Sequence, residues 1–226
     1  MYAKFWKRIL DFTLAFLAII VLLPLLLLMT IIGAVAMKGN PFFVQSRPGK
    51  IDKKTGEEKI FKLVKFRTMN NKKDADGKFL PDEDRLTKYG KFLRETSLDE
   101  LPELINIFKG DMAIVGPRPQ LIRDMIFMTG EQRKRHIVRP GLTGLAQVNG
   151  RNTITWEDKF TYDLNYIENI TLCGDIRILF QTVIKVLKRS DIVREGTVSD
   201  IDYGDWLLSE GKITQEEYDN ILRDLK

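Results

Sequence analysis

The segment from Phe12 to Met37 most constrains the fold of this chain, because it holds no charged residue and consists mostly of Leu, Ile, Val, Ala and Phe. As a straight helix it would be roughly 39 Å long, whereas the hydrocarbon core of a bilayer is roughly 30 Å thick. A run this long and this apolar predicts a membrane helix rather than the core helix of a soluble domain. No small-residue cleavage site closes the run, so a removed signal peptide fits poorly.

Pro24 lies in the middle of this segment and predicts a kink, because proline removes one helical hydrogen bond and clashes with the preceding turn. Basic residues flank both ends of the segment: Lys4, Lys7 and Arg8 before it, and Lys38, Arg47 and Lys50 after it. Basic flanks are typical of the cytoplasmic side, which favours both ends there. Two alternatives stay open on these grounds: a re-entrant helix broken at Pro24 that dips into one leaflet, and a kinked helix that spans the bilayer.

Charge is divided unevenly along the chain. The whole chain carries a formal net charge of +5, but residues 199–226 hold eight acids and three bases, which leaves about +10 on residues 1–198. A basic body beside an apolar segment predicts anionic membrane surfaces or phosphates as partners, with nucleic acid as the generic alternative. Cys173 and His136 are the single cysteine and the single histidine, which excludes an intramolecular disulfide and a multi-histidine metal site. Carboxylates must therefore do any acid, base or nucleophilic work.

The rest of the pattern predicts an α+β, predominantly helical fold with a small β-hairpin. The predicted strands are 41–44 and 60–66, joined by a polar turn over 49–58, and the predicted helices are 86–94, 101–108, 156–166, 175–188 and a tail hairpin over 207–225 that is interrupted at Gly211. The helix over 175–188 is amphipathic and basic, so it either lies on the bilayer surface or packs on the core. The GPRP and RPGLTG stretches are predicted loops, since they are rich in Pro and Gly.

Two adjacent acids, Asp99 and Glu100, open the stretch SLDELPELINIFKGDM. One interpretation is ordinary helix-start chemistry, because Ser97 and Glu100 match a capping box and acids complement the dipole of a first turn. The other is a metal-phosphate site, because Mg²⁺ binds through one or two carboxylates plus substrate phosphate oxygens, and an aspartate can attack phosphorus directly. Both interpretations are compatible with these residues.

Phosphoryl chemistry also needs fixed positive donors, and several basic residues lie in or next to the predicted loops. The candidates for phosphate binding are Lys65, Arg67, Arg94, Arg118, Arg139 and Arg151. Arg118 stands between two prolines, which restrict its backbone and suit a pre-positioned guanidinium that binds phosphate with two parallel hydrogen bonds. The concentration of these residues in Pro- and Gly-rich stretches favours a phosphate site over a solvated surface.

Several motifs together resemble the bacterial sugar transferase family, whose members are monotopic phosphoglycosyl transferases that start glycan assembly on polyprenyl phosphate. The motifs are KFRTM, SLDELPELINIFKGDM, VGPRP, RPGLTGLAQVNGR and an earlier RPG at 47–49, in consistent order over residues 1–198. Within the family, the chain looks closest to the PglC-type enzymes of bacterial N-glycosylation, on the stretches KRHIVRPGLTGLAQVNGRNTITW and KVLKRSDIVREG.

The resemblance implies transfer of a sugar 1-phosphate from a UDP-sugar to undecaprenyl phosphate, with release of UMP. The likeness to PglC-type enzymes points to an N-acetylated deoxysugar donor such as UDP-diacetylbacillosamine. By similarity, Asp99 is the nucleophile that forms an aspartyl-phosphosugar intermediate, and Asp99 and Glu100 form the Mg²⁺ site. Lys65, Arg94, Arg118 and Arg151 match the family's basic motif positions and are expected to contact phosphates.

The resemblance also implies an architecture and a location. Residues 1–38 are expected to form the re-entrant membrane helix, and 39–198 a cytoplasmic catalytic domain with amphipathic surface helices, on the cytoplasmic face of the bacterial inner membrane. Leu23 stands before Pro24 where relatives often carry serine, so the hydroxyl that contributes to the break is absent. The acidic helical-hairpin tail over 199–226 has no counterpart in the PglC pattern and resembles short SHOCT-type segments, which implies self-association.

Other functions remain to be weighed against this one. A non-catalytic, basic, membrane-anchored scaffold that binds anionic lipid would not need Asp99. An enzyme acting on a CDP-alcohol, or hydrolysing a phosphate, is disfavoured because no helix carries a clustered multi-aspartate motif. A nucleic-acid binder is disfavoured because the apolar segment would have no role in it.

Overall fold

The computed structural model of the chain describes residues 1–150, 153–188 and 201–223. After a π-helical turn at Tyr2–Trp6, the elements follow in this order: α1 (Lys7–Ala36), β1 (Phe42–Ile51), β2 (Glu58–Phe66), α2 (Asp82–Arg85), α3 (Lys88–Thr96), α4 (Glu103–Lys109), β3 (Ala113–Val115), α5 (Ile122–Ile126), α6 (Gly130–Arg133), β4 (Gly141–Thr143), α7 (Leu145–Val148), α8 (Trp156–Glu168), α9 (Leu172–Lys188), α10 (Tyr203–Ser209) and α11 (Gln215–Arg223). The fold is mostly helical with small sheets, as the sequence predicts.

The apolar segment forms α1, which is long and apolar enough by length and composition to cross a membrane. One face of α1 packs on the body of the protein: Ala15 is fully buried against Phe61 and Ile107, and Met29 is buried against Leu93. The other face stays exposed and apolar. The helix runs through Pro24 without interruption, so the structure shows no break there, and the bend at Pro24 stays a prediction.

Polar contacts fasten both ends of α1 to the body. Near the start, the Arg8 guanidinium donates to the carbonyl oxygens of Ile107 and Phe108 over 2.7 and 3.0 Å, at the end of α4. Near the other end, the Tyr89 hydroxyl donates to the carbonyl of Met29 over 3.0 Å. The body therefore contacts α1 along most of its length.

The predicted β-hairpin is confirmed, and its strands are longer than predicted. β1 and β2 are antiparallel and pair from Phe42 opposite Phe66 to Ile51 opposite Glu58, with an irregularity after Pro48. The predicted polar turn began at Gly49, which was wrong, because the pairing continues to Ile51. The polar side chains that follow Gly49 predicted a turn, but the strand continues past Gly49, because a strand at the edge of a sheet tolerates polar side chains.

The prediction that RPGLTG forms only a loop was also wrong, because residues 141–143 form β4, which pairs in parallel with β3. The Gly116 amide donates to the Thr143 carbonyl, and the Gly141 amide donates to the Pro117 carbonyl. A Cβ at Gly141 would lie 2.1 Å from the Gly116 nitrogen, so the two segments approach this closely only because both residues are glycine. The same glycines that predict a loop here allow strand pairing.

α9 is amphipathic, as predicted, with one side against the core and the other exposed. Ile178 is buried, whereas Phe180 and Leu187 are 68% and 78% exposed. The first turn carries Cys173, which is exposed. The exposed side of α9 is thus a second exposed apolar surface, in addition to the exposed face of α1.

The tail hairpin is confirmed for residues 201–223, including the predicted capping box of Thr214 and Glu217. Its aromatic residues do not face solvent: Tyr203 and Tyr218 are buried in a cluster with Phe127 and Trp156. Arg123 fastens the tail further through ion pairs with Asp202 at 3.0 Å and Asp205 at 2.7 Å. Self-association through the tail stays a prediction, and these apolar residues contact their own chain.

Candidate active site

A sharp turn between α3 and α4 presents the two adjacent acids. Ser97 follows α3 in the left-handed conformation, with φ of 55°, and reverses the chain into a single 3₁₀ turn that carries Asp99 and Glu100. Ser97 does not cap this turn with its side chain, so the capping-box interpretation of Ser97 and Glu100 was wrong. The left-handed backbone explains this, because an N-cap residue needs an extended conformation to aim its oxygen at the turn.

Glu100 is 8% exposed and lies between two cations from distant parts of the sequence. Its Oε1 atom is 3.0 Å from the Lys65 ammonium on β2 and 2.9 Å from the Arg118 guanidinium in the PRP loop. The structure thus brings together three residues that the sequence predicted for one site. The charge of Glu100 raises the pKa of Arg118, which keeps this guanidinium charged.

Sequence reasoning missed Glu103, a third acid one helical turn after Glu100. It is 2% exposed, and its Oε1 lies 2.9 Å from the Lys65 ammonium. Burial raises the pKa of Glu103 to about 7, and the charge of Glu100 adds to this effect. Burial alone would lower the pKa of Lys65, but the charges of Glu100 and Glu103 outweigh it and the pKa is raised. The spacing of three between the two glutamates, which places them on one helical face, was the available signal.

Arg94, at the end of α3, lies close enough to feel the charge of Asp99. Burial lowers the pKa of Arg94, and the charge of Asp99 opposes that shift. The Arg94 Nε donates to the Thr68 hydroxyl over 3.2 Å. A Cβ at Gly90 would lie 1.9 Å from the Thr68 carbonyl oxygen, so α3 packs directly on the backbone that follows β2. This packing fixes Arg94 beside the carboxylates.

A buried ion pair, which sequence reasoning also missed, holds the backbone of Arg118 in place. Arg135 is 1% exposed and donates from Nη2 to the Arg118 carbonyl over 2.7 Å. The same guanidinium donates to Asp163 Oδ2 from Nε over 2.9 Å and from Nη2 over 2.6 Å. On the other side, Arg47 of the early RPG motif donates to the Pro119 carbonyl over 3.3 Å. Arg135 and Arg47 therefore position the loop that carries the Arg118 side chain.

The remaining predicted phosphate ligands have different placements. Arg67 follows β2, and its amide donates to the Pro41 carbonyl, but no contact within the described residues joins its side chain to the carboxylates. Arg139 donates to the Gly110 carbonyl over 2.8 Å, at the opposite end of α4 from Glu103, so the structure does not bring it to the site. Arg151 lies outside the described residues.

The adjacent acids have the donor chemistry that a Mg²⁺ site requires. Oxygen donors from one or two carboxylates, completed by substrate phosphates and water, are what Mg²⁺ prefers. Asp99 and Glu100 are adjacent in one turn and supply that number of carboxylates. Within the described ranges, no group of three or more Asp, Glu, His or Cys side chains is arranged so that it could hold a metal ion by itself. The residues present therefore fit a metal that is held jointly by the protein and a bound phosphate.

Comparison with known proteins identifies the family of this chain. The family described as bacterial sugar transferase matches residues 2–189. The chain belongs to this family. It is also 44% identical over 194 residues to a protein named the uncharacterized sugar transferase EpsL of Bacillus subtilis, covering 85% of this chain and 93% of EpsL. The family match confirms the expectation of a membrane-associated transferase.

Two further relatives have names that state substrates. An undecaprenyl-phosphate galactose phosphotransferase of Salmonella typhimurium is 34% identical over 83% of this chain, and a UDP-N-acetylgalactosamine-undecaprenyl-phosphate N-acetylgalactosaminephosphotransferase of Aeromonas hydrophila is 35% identical over 81%. The matches cover 41% and 44% of these two longer proteins. The likeness to PglC-type enzymes stays a prediction.

Proposed function

We propose that this bacterial sugar transferase moves a sugar 1-phosphate from a UDP-sugar to undecaprenyl phosphate and releases UMP. The observation that carries the proposal is the Asp99–Glu100 turn, where Glu100 Oε1 lies within 3.0 Å of Lys65 and 2.9 Å of Arg118. Two acids beside two fixed cations combine a nucleophile with the positive charge that a transferred phosphoryl group requires. The names of the relatives support the same substrates.

In this proposal Asp99 is the nucleophile, as the family resemblance implies. A carboxylate oxygen of Asp99 attacks the β-phosphorus of the UDP-sugar, and the bond from that phosphorus to the bridging oxygen breaks, so UMP leaves with the oxygen. A phosphate oxygen of undecaprenyl phosphate then attacks the same phosphorus and releases the Asp99 carboxylate. Neither step needs a net proton transfer, and the two-step route makes the kinetics ping-pong.

Three residues support these steps. Arg118 and Arg94 are placed to bind the phosphate oxygens, because both lie within reach of the charge of Asp99, and Arg118 also pairs with Glu100. Lys65 holds Glu100 and Glu103 together and so maintains the geometry of the turn. Mg²⁺, held by Asp99 and Glu100, would neutralise charge on the phosphates. Roles for Arg67, Arg139 and Arg151 remain predictions from the motifs.

The contacts of α1 support attachment to one membrane surface over a spanning helix. A helix that crosses the bilayer carries its ends to opposite sides of a hydrocarbon core of roughly 30 Å. Here Arg8 and Met29, separated by roughly 32 Å of helix, both bind the same charged body. The charged body does not enter the hydrocarbon, so in this proposal α1 stays at one membrane surface with its exposed face in the bilayer, and the bend at Pro24 that a re-entrant helix needs remains a prediction.

The exposed apolar side of α9 supports the same placement at a membrane surface, which we propose to be the cytoplasmic face of the inner membrane. Ile176, Phe180, Val183 and Leu187 recur every three or four residues and are all more than half exposed. An amphipathic helix with such a face lies in the plane of the interface. The carboxylates would then lie at the depth of lipid phosphates, where a lipid acceptor and a soluble donor can meet.

The donor in this proposal is a UDP-N-acetylsugar, and an N-acetylated deoxysugar such as diacetylbacillosamine is the substrate that the motifs imply. The relatives carry names that state both galactose and N-acetylgalactosamine, so the family takes more than one sugar. The test is UMP release by the purified full chain with Mg²⁺, undecaprenyl phosphate and a panel of UDP-sugars.

Release that requires one sugar, the lipid phosphate and both acids would support the proposal, with Asp99→Asn and Glu100→Gln as the variants. Lys91→Gln is the matched surface control, because Lys91 is exposed and pairs only loosely with Glu95 at 4.0 Å. Folded, membrane-bound protein that releases no UMP from any donor would contradict the enzyme and favour the scaffold that binds anionic lipid.

A further inference from the structure

A cavity of about 360 Å³ opens next to the carboxylates and has no assigned occupant. Glu100 and Arg118 belong to its lining, and Leu142, Val148 and Leu179 contribute to its apolar walls. This volume falls within the range of small-molecule sites, roughly 300–1,000 Å³. Under the proposed function the reacting phosphates bind at Glu100 and Arg118, so a group that fills this cavity would be joined to one of those phosphates.

Gln147 is the unusual residue in the lining. It lies on α7, and its Nε2 and Oε1 atoms are both buried without a hydrogen-bond partner among the residues that the structure describes. Other polar side chains of the lining are satisfied: the Thr143 and Thr182 hydroxyls bond each other over 2.7 Å, and Ser97 and Lys185 each have an interaction partner. Buried amides in native proteins are almost always hydrogen-bonded, so an unpartnered one in the lining of a cavity is a candidate contact for a group bound there.

The local backbone fixes where this amide points. A Cβ at Gly144 would lie 2.1 Å from the Gly116 carbonyl and 2.7 Å from Gln147 Oε1, so only glycine allows α7 to begin this close to the β3 segment. Gln147 is therefore presented by the same packing that positions the PRP loop. Its amide offers one donor group and one acceptor side by side.

The chemistry of the cavity selects among the groups that a UDP-sugar or a lipid phosphate could place there. A pyranose ring would bury several hydroxyls against carbon, which is unfavourable without partners. An isoprenoid chain would suit the walls but would leave the amide of Gln147 unsatisfied. A pyrimidine base fits both features, because its faces are apolar and its imide edge carries an N–H next to a carbonyl.

We propose that this cavity is the uracil subsite of the nucleotide-sugar donor and that Gln147 is the residue that binds the base. Its Nε2 donates to a ring carbonyl, and its Oε1 accepts from the ring N3–H. The inference rests on the proposed UDP-sugar transferase and names the part of the donor that this cavity holds.

The test is direct binding of UDP to the full chain in detergent or nanodiscs, measured by calorimetry for wild type and Gln147→Leu. We expect Gln147→Leu to weaken UDP binding about 10- to 100-fold, the cost of two buried hydrogen bonds. Gln215→Leu is the control, since Gln215 is exposed on α11 in the tail. The unliganded Gln147→Leu protein should unfold at the same or a higher temperature than wild type, because the change removes an unpartnered buried amide.

A second probe, UDP methylated at N3 of uracil, isolates the predicted contact. Wild type should bind it at least about tenfold more weakly than UDP, and Gln147→Leu should bind the two nucleotides about equally. Equal UDP affinity in wild type and Gln147→Leu would overturn the inference. A loss seen only with UDP-N-acetylsugars would assign the cavity to the sugar, and one seen only with undecaprenyl phosphate would assign it to the lipid. Wild-type protein that binds no UDP would instead refute the proposed function itself.

Discussion

Replacing Arg135 separates the stability of the fold from the positioning of the catalytic loop. Arg135 is 1% exposed and Asp163 is 2% exposed, and two hydrogen bonds join them over 2.9 and 2.6 Å. Arg135→Met leaves the Asp163 carboxylate buried without its partner, which costs roughly 3–5 kcal/mol in comparable sites. For a protein of this size we expect the midpoint of thermal unfolding to fall by roughly 6–20 °C.

The double variant Arg135→Met/Asp163→Leu removes both charges at once. Apolar side chains of similar volume in place of a buried ion pair are often neutral or stabilising, so the double variant should regain most of the lost stability. It cannot regain the hydrogen bond from Arg135 Nη2 to the Arg118 carbonyl, which is 2.7 Å long. A hydrogen bond to a charged group contributes roughly 1.5–3 kcal/mol, so kcat/KM for UMP release should stay about 10- to 150-fold below that of wild type.

The assay pairs thermal unfolding in detergent with UMP-release kinetics on the same preparations. The reasoning is refuted if Arg135→Met unfolds at the wild-type temperature, because the pair would then carry no stability. It is also refuted if the double variant recovers full activity, because the Arg118 loop would then be positioned without Arg135. Either result would leave the role of this buried arginine without support.

Three further predictions concern other parts of the fold. Gly141→Ala should destabilise the protein by about 1–3 kcal/mol or more, because the added Cβ would lie 2.1 Å from the Gly116 nitrogen. Gly130→Ala is the control, since a Cβ there meets open space and should change denaturant unfolding little. Equal losses of stability in the two variants would contradict the close approach of Gly141 and Gly116. The Glu103 carboxyl has its pKa raised from 4.5 to about 7, so the folded state binds its proton more tightly and stability falls as pH rises through this window. Glu103→Gln should therefore gain stability relative to wild type from about pH 4.5 to 7, and a constant difference in denaturant unfolding would count against the shift. Asp175→Asn should cost roughly 1.5–3 kcal/mol of unfolding free energy, because Asp175 accepts from Lys7 over 2.6 Å and from two tyrosine hydroxyls, and an unchanged denaturation curve would exclude that anchor of α1.

Much of the fold could be predicted from local pattern. The apolar run, the β-hairpin and the amphipathic α9 each follow from periodicity or turn chemistry over a few residues. The strand pairing of β3 and β4 could not be predicted, because each strand is three residues long and the pairing depends on Gly116 and Gly141 meeting across a separation of 25 residues. Close approach of two backbones is a property of tertiary packing, and the same glycines locally indicate loops.

The sequence predicted the charged residues of the candidate site but not the buried residues that hold them in position. Lys65, Glu100 and Arg118 come together as the motifs imply. Glu103 and Arg135 were missed, because an acid on a helix and an arginine in a basic stretch are usually solvated, and nothing local marks them as buried. Burial of such groups is decided by partners far away in the sequence, here Lys65 and Asp163.

The most direct test of the central claim is the mass of the intact protein after incubation with a UDP-sugar and Mg²⁺ in the absence of lipid acceptor. We expect an added mass of one sugar phosphate that maps to Asp99, is absent in Asp99→Asn, and disappears when undecaprenyl phosphate is supplied. An unmodified protein that nonetheless turns over the donor and the lipid, or a modification that persists in Asp99→Asn, would contradict it.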